Sequence, residues 1–210
     1  HLAKGLLRKL HRGLQTAGLF HRCAHGGISR RSIFTSAGAH VGRRYLWTRD
    51  AKDCFPSISR DAMYDELVAL GFRKRVARVV SMLFTVRGRV AQGSPVSTDA
   101  ANLFFYRADQ RIASEAGKCD IKMTRVVDDV VLSGDSKANG DRLVLMAENE
   151  IELRHIKIND KRRRKNGLQD RSRVQLVHNL RVDVKKGVRV SQDHRKAALD
   201  CAREYVDACR

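Results

Sequence analysis

Leu2, Leu6, Leu7, Leu10 and Leu14 recur at helical spacing, with Lys4, Arg8, Lys9 and Arg12 on the remaining faces, so the chain opens on a basic amphipathic helix. Its charged face serves either as the solvated side of a docking helix or as a nucleic-acid contact. "HGGISRRS" then reads as a turn-rich basic loop, and "RRYLWTRD" as a strand ending at Asp50. Helices are expected around 60–70 and 73–85, the first capped by Ser59 and stopped by Gly71. After a turn at Gly88, "QGSPVSTDAANLFFYRADQRIASEAG" predicts a loop feeding one long helix, capped near Ser97 or Thr98 and stopped by Gly117. A hairpin over 120–133 and a helix near 141–155 follow. The basic stretch "KINDKRRRKNG", a β pair around 174–190 and a final helix from about 192 complete the chain.

This order predicts an α+β plan in which helices pack on one face of a small antiparallel sheet. There is no internal repeat and no long Gly/Ser/Pro linker; the two prolines, Pro56 and Pro95, stand at strand-to-helix transitions. With 210 residues and 42% hydrophobic content, the chain can bury a core in one large domain or two small ones.

Charge changes the picture. A formal +19 and a pI near 10.4 argue against an ordinary enzyme of small neutral metabolites and for a polyanionic partner, nucleic acid first. Residues 1–49 carry 10 Lys/Arg and no acid, residues 50–150 carry 15 of each, and residues 151–210 carry 17 against 8. A neutral, carboxylate-bearing centre between two basic arms fits a catalytic floor flanked by phosphate-holding surfaces. Arg43, Arg44, Arg162, Arg163 and Arg164 are the nucleic-acid contacts expected from those arms.

Cys23, Cys54, Cys119, Cys201 and Cys209 include no C-x-x-C pair and read as reduced thiols. No apolar run nears the roughly 18 residues that cross a bilayer, and no signal-peptide h-region follows the basic start. A cytoplasmic setting is the expectation. The chain starts at His1 and stops within a helical pattern, so it reads as part of something longer, or as its ordered part.

"TRVVDDVVLSGD" holds the candidate chemistry, with Asp128 and Asp129 at a hairpin tip between paired valines. Two carboxylates about 4 Å apart repel by roughly 4 kcal/mol at an effective dielectric near 20, and burial raises that cost unless a proton or cation intervenes. A divalent metal answers it; a solvated Asp-Asp turn is the plain alternative. Asp50 ends a separate apolar strand. If the strands are neighbours, three carboxylates converge on one sheet edge, an arrangement able to hold two Mg²⁺ ions for in-line phosphoryl transfer. Asp53 and Asp120 are further acidic candidates, Asp53 lying off the face of Asp50.

These residues also carry a resemblance. "DAKDCFPSIS" resembles the first palm motif of reverse transcriptases, "QGSPVSTDAANLFFYRAD" the motif that follows it, and "TRVVDDVVLSG" the Tyr-x-Asp-Asp hairpin. "HGGISRRSIFTSAGAHVGRRY" is similar to the fingers segment of bacterial retron-type enzymes, "HIKINDKRR" to the lysine-bearing segment after the palm, and "VQLVHNLRVDVKKGVRVS" to the palm-to-thumb hairpin. Phe-Pro-Ser-Ile and Gln-Gly-Ser-Pro favour the retron and defence-associated branch over group II intron enzymes.

The resemblance implies a right-hand fingers–palm fold with most of the thumb absent. Residues 1–49 would form the basic helix and fingers segment, 50–172 the palm, 173–191 the palm–thumb hairpin, and 192–210 the start of a thumb helix. It implies Asp50, Asp128 and Asp129 as metal ligands, Phe55 as the gate beneath the incoming sugar, and Gln92 and Gly93 against nucleotide and template. It further implies Arg30 or Arg31 on the triphosphate and Lys161 assisting pyrophosphate departure. Two Mg²⁺ ions, with Mn²⁺ as substitute, a structured RNA template, nascent DNA and dNTPs are the implied cofactors and partners. An effector protein in a retron-like or anti-phage system is a further candidate partner. Three departures stand out: Val126 for the usual aromatic, Thr98 where proline commonly follows Ser-Pro-x-Ser, and His178-Asn179 for Thr-Gly. The rival to RNA-templated DNA synthesis in a bacterial cytoplasm is a non-catalytic RNA-binding scaffold on the same fold, with a metal-dependent nuclease third.

Overall fold

The computed structural model describes residues 2–160, 167–184, 186–190 and 195–196. The N-terminal half runs α1 (Leu2–Thr16), α2 (Ile33–Gly38), β1 (Tyr45–Asp50), α3 (Cys54–Ser57), α4 (Arg60–Ala69), α5 (Lys74–Phe84), β2 (Thr85–Val86) and β3 (Arg89–Val90). It continues through α6 (Ser97–Phe104), α7 (Tyr106–Lys118), β4 (Lys122–Val126), β5 (Asp129–Gly134), α8 (Lys137–Glu152), β6 (Leu168–Asp170), β7 (Gln175–Val177), β8 (Leu180–Asp183) and β9 (Gly187–Val190).

The central sheet is antiparallel throughout, in the order β4-β5-β1-β6. Strand alternation sorts its side chains between two layers. Trp47, Val130 and Leu132 join the main core with α6, α7 and α8, whereas Leu46 and Val131 join Ala37 of α2 and Val177, Leu180 and Val182 of a second sheet, β7-β8-β9. The expected α+β plan holds, with this smaller layer added on the opposite face.

Local chemistry accounts for most helix ends. The Ser59 hydroxyl accepts from the Ala62 amide at the start of α4, and Gly71 ends that segment at φ +92°. The α1 helix is held by its buried Leu14 and by Asp99 of α6, which meets His11 Nδ1 at 2.7 Å and Gln15 Nε2 at 3.1 Å.

Several expectations are corrected. The long helix from Ser97 breaks at Phe105, whose ring seats beneath the Arg125 guanidinium at 5.0 Å and packs edge-on against Phe104. Its cap is Val96, because the Ser97 hydroxyl donates to loop carbonyls of Ala91 and Ser94 instead. Gly117 lies inside α7, and Asp120 supplies the left-handed residue after it at φ +50°. The 174–190 region is three strands, not two. The basic loop leads into an unforeseen helix, α2, which opens on a Ser32–Thr35 capping box. β6 was not foreseen, and most of the expected final helix lies outside the described residues.

α8 approaches β1 through Gly140, where an added Cβ would stand 2.0 Å from Trp47 Cη2. Gly140→Ala is expected to lower the urea midpoint through an overpacking cost of roughly 1–3 kcal/mol. Gly13→Ala on α1, where a Cβ meets nothing within 4 Å, should raise it through a stability gain of up to about 1 kcal/mol.

Candidate active site

Asp50, the last residue of β1, lies directly opposite Asp129, the first residue of β5. Asp129 also pairs with Val126 across the β4–β5 hairpin, which leaves Val127 and Asp128 as its turn. Val127 takes φ +56°, a left-handed conformation that costs a β-branched residue about 1–3 kcal/mol and must be held by its surroundings. They hold it on three sides. Arg125 Nη1 donates to the Val127 carbonyl at 2.7 Å, the Ala51 amide donates to the Asp128 carbonyl at 3.0 Å, and Gly26 packs so closely that a Cβ would meet Val127 at 2.8 Å.

Arg125 in turn grips Asp109 of α7 through Nε at 2.9 Å and Nη2 at 2.6 Å, both side chains being 1% exposed. Asp50 is itself buried, with its Oδ2 accepting from Asn159 Nδ2 and its carbonyl from the Asn159 amide, each at 2.8 Å. Beneath the carboxylates, burial and the charges of Asp128 and Asp50 push the Cys54 thiol up to about 12. It stays protonated, so the anionic donors at the cleft are carboxylate oxygens.

The cleft is lined by Asp50, Asp128, Asp129, Val126, Asn159 and His178. Carboxylate oxygens in this setting suit Mg²⁺ or Mn²⁺ rather than a thiolate-seeking metal. Among the described residues, ligand atoms of His21, Cys23 and Asp109 also lie within 4.8 Å of one another. That second cluster is structural. Arg125 occupies both Asp109 oxygens, and burial holds the Cys23 thiol well above its usual range.

The other sequence candidates fall at varied distances from this centre. Phe55 is half-buried on α3, packed against the main core. Gln92 and Gly93 form an exposed turn before α6, with Gly93 at φ +81°, where glycine is required. Arg31 Nη1 donates to the carbonyls of His21, Arg22 and Ala24 and so fastens its own loop, while Arg30 is exposed. Arg43 pairs with Asp120 and Asp135, and exposed Arg44 lies 5.1 Å over the Tyr45 ring. Asp120 is thereby engaged away from the cleft, and Asp53 is an exposed left-handed residue after the strand. Lys161, Arg162, Arg163 and Arg164 lie outside the described residues.

Two site residues escaped the sequence. Asn159 sits in the quoted "HIKINDKRR" segment without a local sign of its contact with Asp50. His178 was visible only as a departure from Thr-Gly; it occupies the β7–β8 turn and approaches Asp129 Oδ2 with Nδ1 at 3.2 Å.

The antiparallel sheet with an acidic edge, helices behind it and a hairpin in front is a fingers–palm fold of the polymerase class. The chain belongs to the reverse transcriptase (RNA-dependent DNA polymerase) family, which it matches over residues 2–165. It is 30% identical over 208 residues to the retron Mx65 reverse transcriptase of Myxococcus xanthus, covering 89% of this chain and 48% of that protein. It is also 30% identical over 111 residues to the retron Ec86 reverse transcriptase of Escherichia coli, covering 53% and 35%. The chain thus spans about half or less of the length of these relatives. Among solved structures, apo telomerase from Candida tropicalis shares the fold, with a TM-score of 0.62 at 11% identity over 90% of this chain and 39% of its own. No helix among the described residues is long and apolar enough to cross a membrane.

Behind the site, His40 is fully buried between the Ser133 and Thr124 hydroxyls, each at 2.7 Å, and burial lowers its pKa to about 3. The unfolded chain takes up a proton near 6.5 that the folded chain refuses, so stability is full above that pH and falls as pH drops toward 3. Half-buried His21 and His25 are shifted the same way by burial. Urea midpoints should therefore fall between pH 6.5 and 5, with about 2 kcal/mol arising from His40 alone, and His40→Gln should flatten that part of the slope.

Proposed function

We propose that this chain forms the fingers and palm of an RNA-directed DNA polymerase that adds dNTPs to a 3′-hydroxyl on a structured RNA template. The register that sets Asp50 opposite Asp129, beside Asp128 in a tightly held turn, is the observation that carries the reading. The family match and the two retron relatives, both named reverse transcriptase, support it.

Two divalent cations, Mg²⁺ or in its place Mn²⁺, would be held by Asp50, Asp128 and Asp129; when bound they activate the attacking hydroxyl and stabilise the leaving oxygen. The protein's own part is to fix the ligands. Asn159 orients Asp50, Arg125 sets the turn that presents Asp128, and the Cys54 thiol stays out of the ligand set. Phe55 is assigned to the sugar gate and Gln92 and Gly93 to the templating nucleotide. Arg30 is favoured over Arg31 for the triphosphate, since Arg31 already holds three carbonyls. Lys161 is assigned to the departing pyrophosphate, and Arg44 with Arg162, Arg163 and Arg164 to the RNA backbone; Arg43 is the weaker contact because two aspartates neutralise it. The names of the relatives support a retron-like setting; an anti-phage role in a bacterial cytoplasm, with an effector protein, is part of the same proposal.

The direct test incubates the full-length protein with its co-purifying RNA, Mg²⁺ and labelled dNTPs. Asp50→Ala and Asp128→Ala should each abolish incorporation while RNA binding stays within about threefold. Wild-type rates in both would refute the metal assignment, and an inert wild type that still binds RNA would favour a scaffold.

Sugar choice gives a separate test. An aromatic gate discriminates by repulsion, so Phe55→Val should raise kcat/KM for an rNTP relative to its matching dNTP. If Phe55 serves only the core it packs against, the substitution lowers use of both sugars together with the melting temperature, and the ratio stays fixed.

A further inference from the structure

His178 touches the acidic edge on one side and a buried line of polar groups on the other. Its Nδ1 stands 3.2 Å from Asp129 Oδ2 and its Nε2 2.9 Å from Ser36 Oγ on α2. Ser36 Oγ continues to Thr124 Oγ1 on β4 at 2.7 Å, Thr124 to His40 Nε2 at 2.7 Å, and His40 Nδ1 to Ser133 Oγ on β5 at 2.7 Å. Ser36, His40 and Ser133 are 0% exposed and Thr124 is 3% exposed. Water cannot replace a lost partner within that line, so each member depends on its neighbours.

One order of donors satisfies every member of the line. The Asp129 carboxylate oxygen accepts, so His178 donates from Nδ1; in the tautomer with its proton there, Nε2 accepts. Ser36 donates to it and accepts from Thr124. Thr124, having given its one proton, accepts from His40 Nε2, which leaves His40 Nδ1 to accept from Ser133. All five bonds point the same way and end on the carboxylate. The low pKa of His40 keeps it in the neutral form that this order needs.

Resting on the polymerase reading above, we propose that His178 is the positioning residue of Asp129. In this role the β7–β8 turn, backed through Ser36 by the buried hydroxyl–imidazole line, holds one carboxylate oxygen in place so that the acidic edge is set for its cations before they arrive. The backbone is built for it. His178 and Asn179 take φ +48° and +63°, the two-residue geometry of a tight hairpin that aims the imidazole across the cleft. The hairpin thereby becomes part of the metal site, and a residue in the line tunes that site without touching it.

Residues that orient metal ligands commonly change metal affinity by about 10–100-fold when removed. Titration of the full-length protein with Mn²⁺ alone, followed by electron paramagnetic resonance, measures this without any polymerase assay. His178→Ala should weaken Mn²⁺ binding about tenfold. Ser36→Ala, in the line but away from the cleft, should weaken it by a few-fold. His178→Asn should recover most of the wild-type affinity, because its amide can donate from nearly the same place and asparagine accepts a positive φ. In the polymerase assay the Mg²⁺ concentration for half-maximal rate should rise in the same order, with KM for dNTP little changed.

Mn²⁺ affinities unchanged in both alanine variants would overturn the proposal. Equal loss in all three variants, accompanied by lowered melting temperatures, would also overturn it, since the hairpin would then be only structural. If the Mn²⁺ series holds while wild type fails to polymerise, the positioning role stands and the polymerase reading falls.

Discussion

The buried pair of Arg125 and Asp109 is the interaction on which the site depends. A guanidinium and a carboxylate at 1% exposure gain little net stability, because desolvation offsets most of their attraction. Their value lies in geometry. Arg125 has donors to spare after gripping Asp109, and it directs one to the Val127 carbonyl, at the residue whose left-handed backbone swings Asp128 out of the strand. Losing either partner would leave a buried charge, at a cost of about 3–5 kcal/mol, and would release the turn as well. The same guanidinium lies over Phe105, so the break between α6 and α7, the placement of α7 and the shape of the acidic turn are solved together.

What the chain discloses in advance is what depends on near neighbours in sequence. The apolar run Tyr45–Trp47 marks β1, the paired valines mark the hairpin that bears Asp128 and Asp129, and Ser59 and Gly71 bracket α4. The order of motifs carries the family, and the register of β1 against β5 then brings Asp50 to Asp129. What stays hidden depends on contacts across the fold. No local signal distinguishes Arg31 from Arg30; the difference is that the 21–24 loop offers three carbonyls to one of them. Nor does any local signal break the helix at Phe105, since the partner that draws the ring aside lies 20 residues further on. β6 is three residues long and owes its existence to an open edge on β1, and Asn159 earns its place through Asp50 alone.

The two faces of the palm sheet use opposite strategies. On the helix side, the buried charges of the sheet strands are met by opposite charge from the helices: Arg125 by Asp109, and Arg49 by Glu148. On the side of α2 and the second sheet, the buried polar groups are neutral hydroxyls and imidazoles, joined in a line from Ser133 to His178. Charged pairs fix backbone geometry strongly, as the turn at Val127 requires. Neutral groups are cheaper to bury and leave the field at the acidic edge to the carboxylates themselves, which favours cations entering the cleft.

The departures from the family pattern acquire a common logic in this setting. Thr98 packs against Gly27, where a Cβ would stand 2.3 Å from its hydroxyl oxygen, and the neighbouring Gly26 closes on Val127. Val126 pairs with Asp129 and lines the cleft, and His178 reaches the Asp129 carboxylate across it. Two of the departures therefore meet at one aspartate: the valine holds its backbone through the hairpin ladder, and the imidazole meets its Oδ2. Because pairing with both Asp50 and Val126 fixes the backbone of Asp129, a change at 178 acts on the carboxylate and not on the strand that carries it.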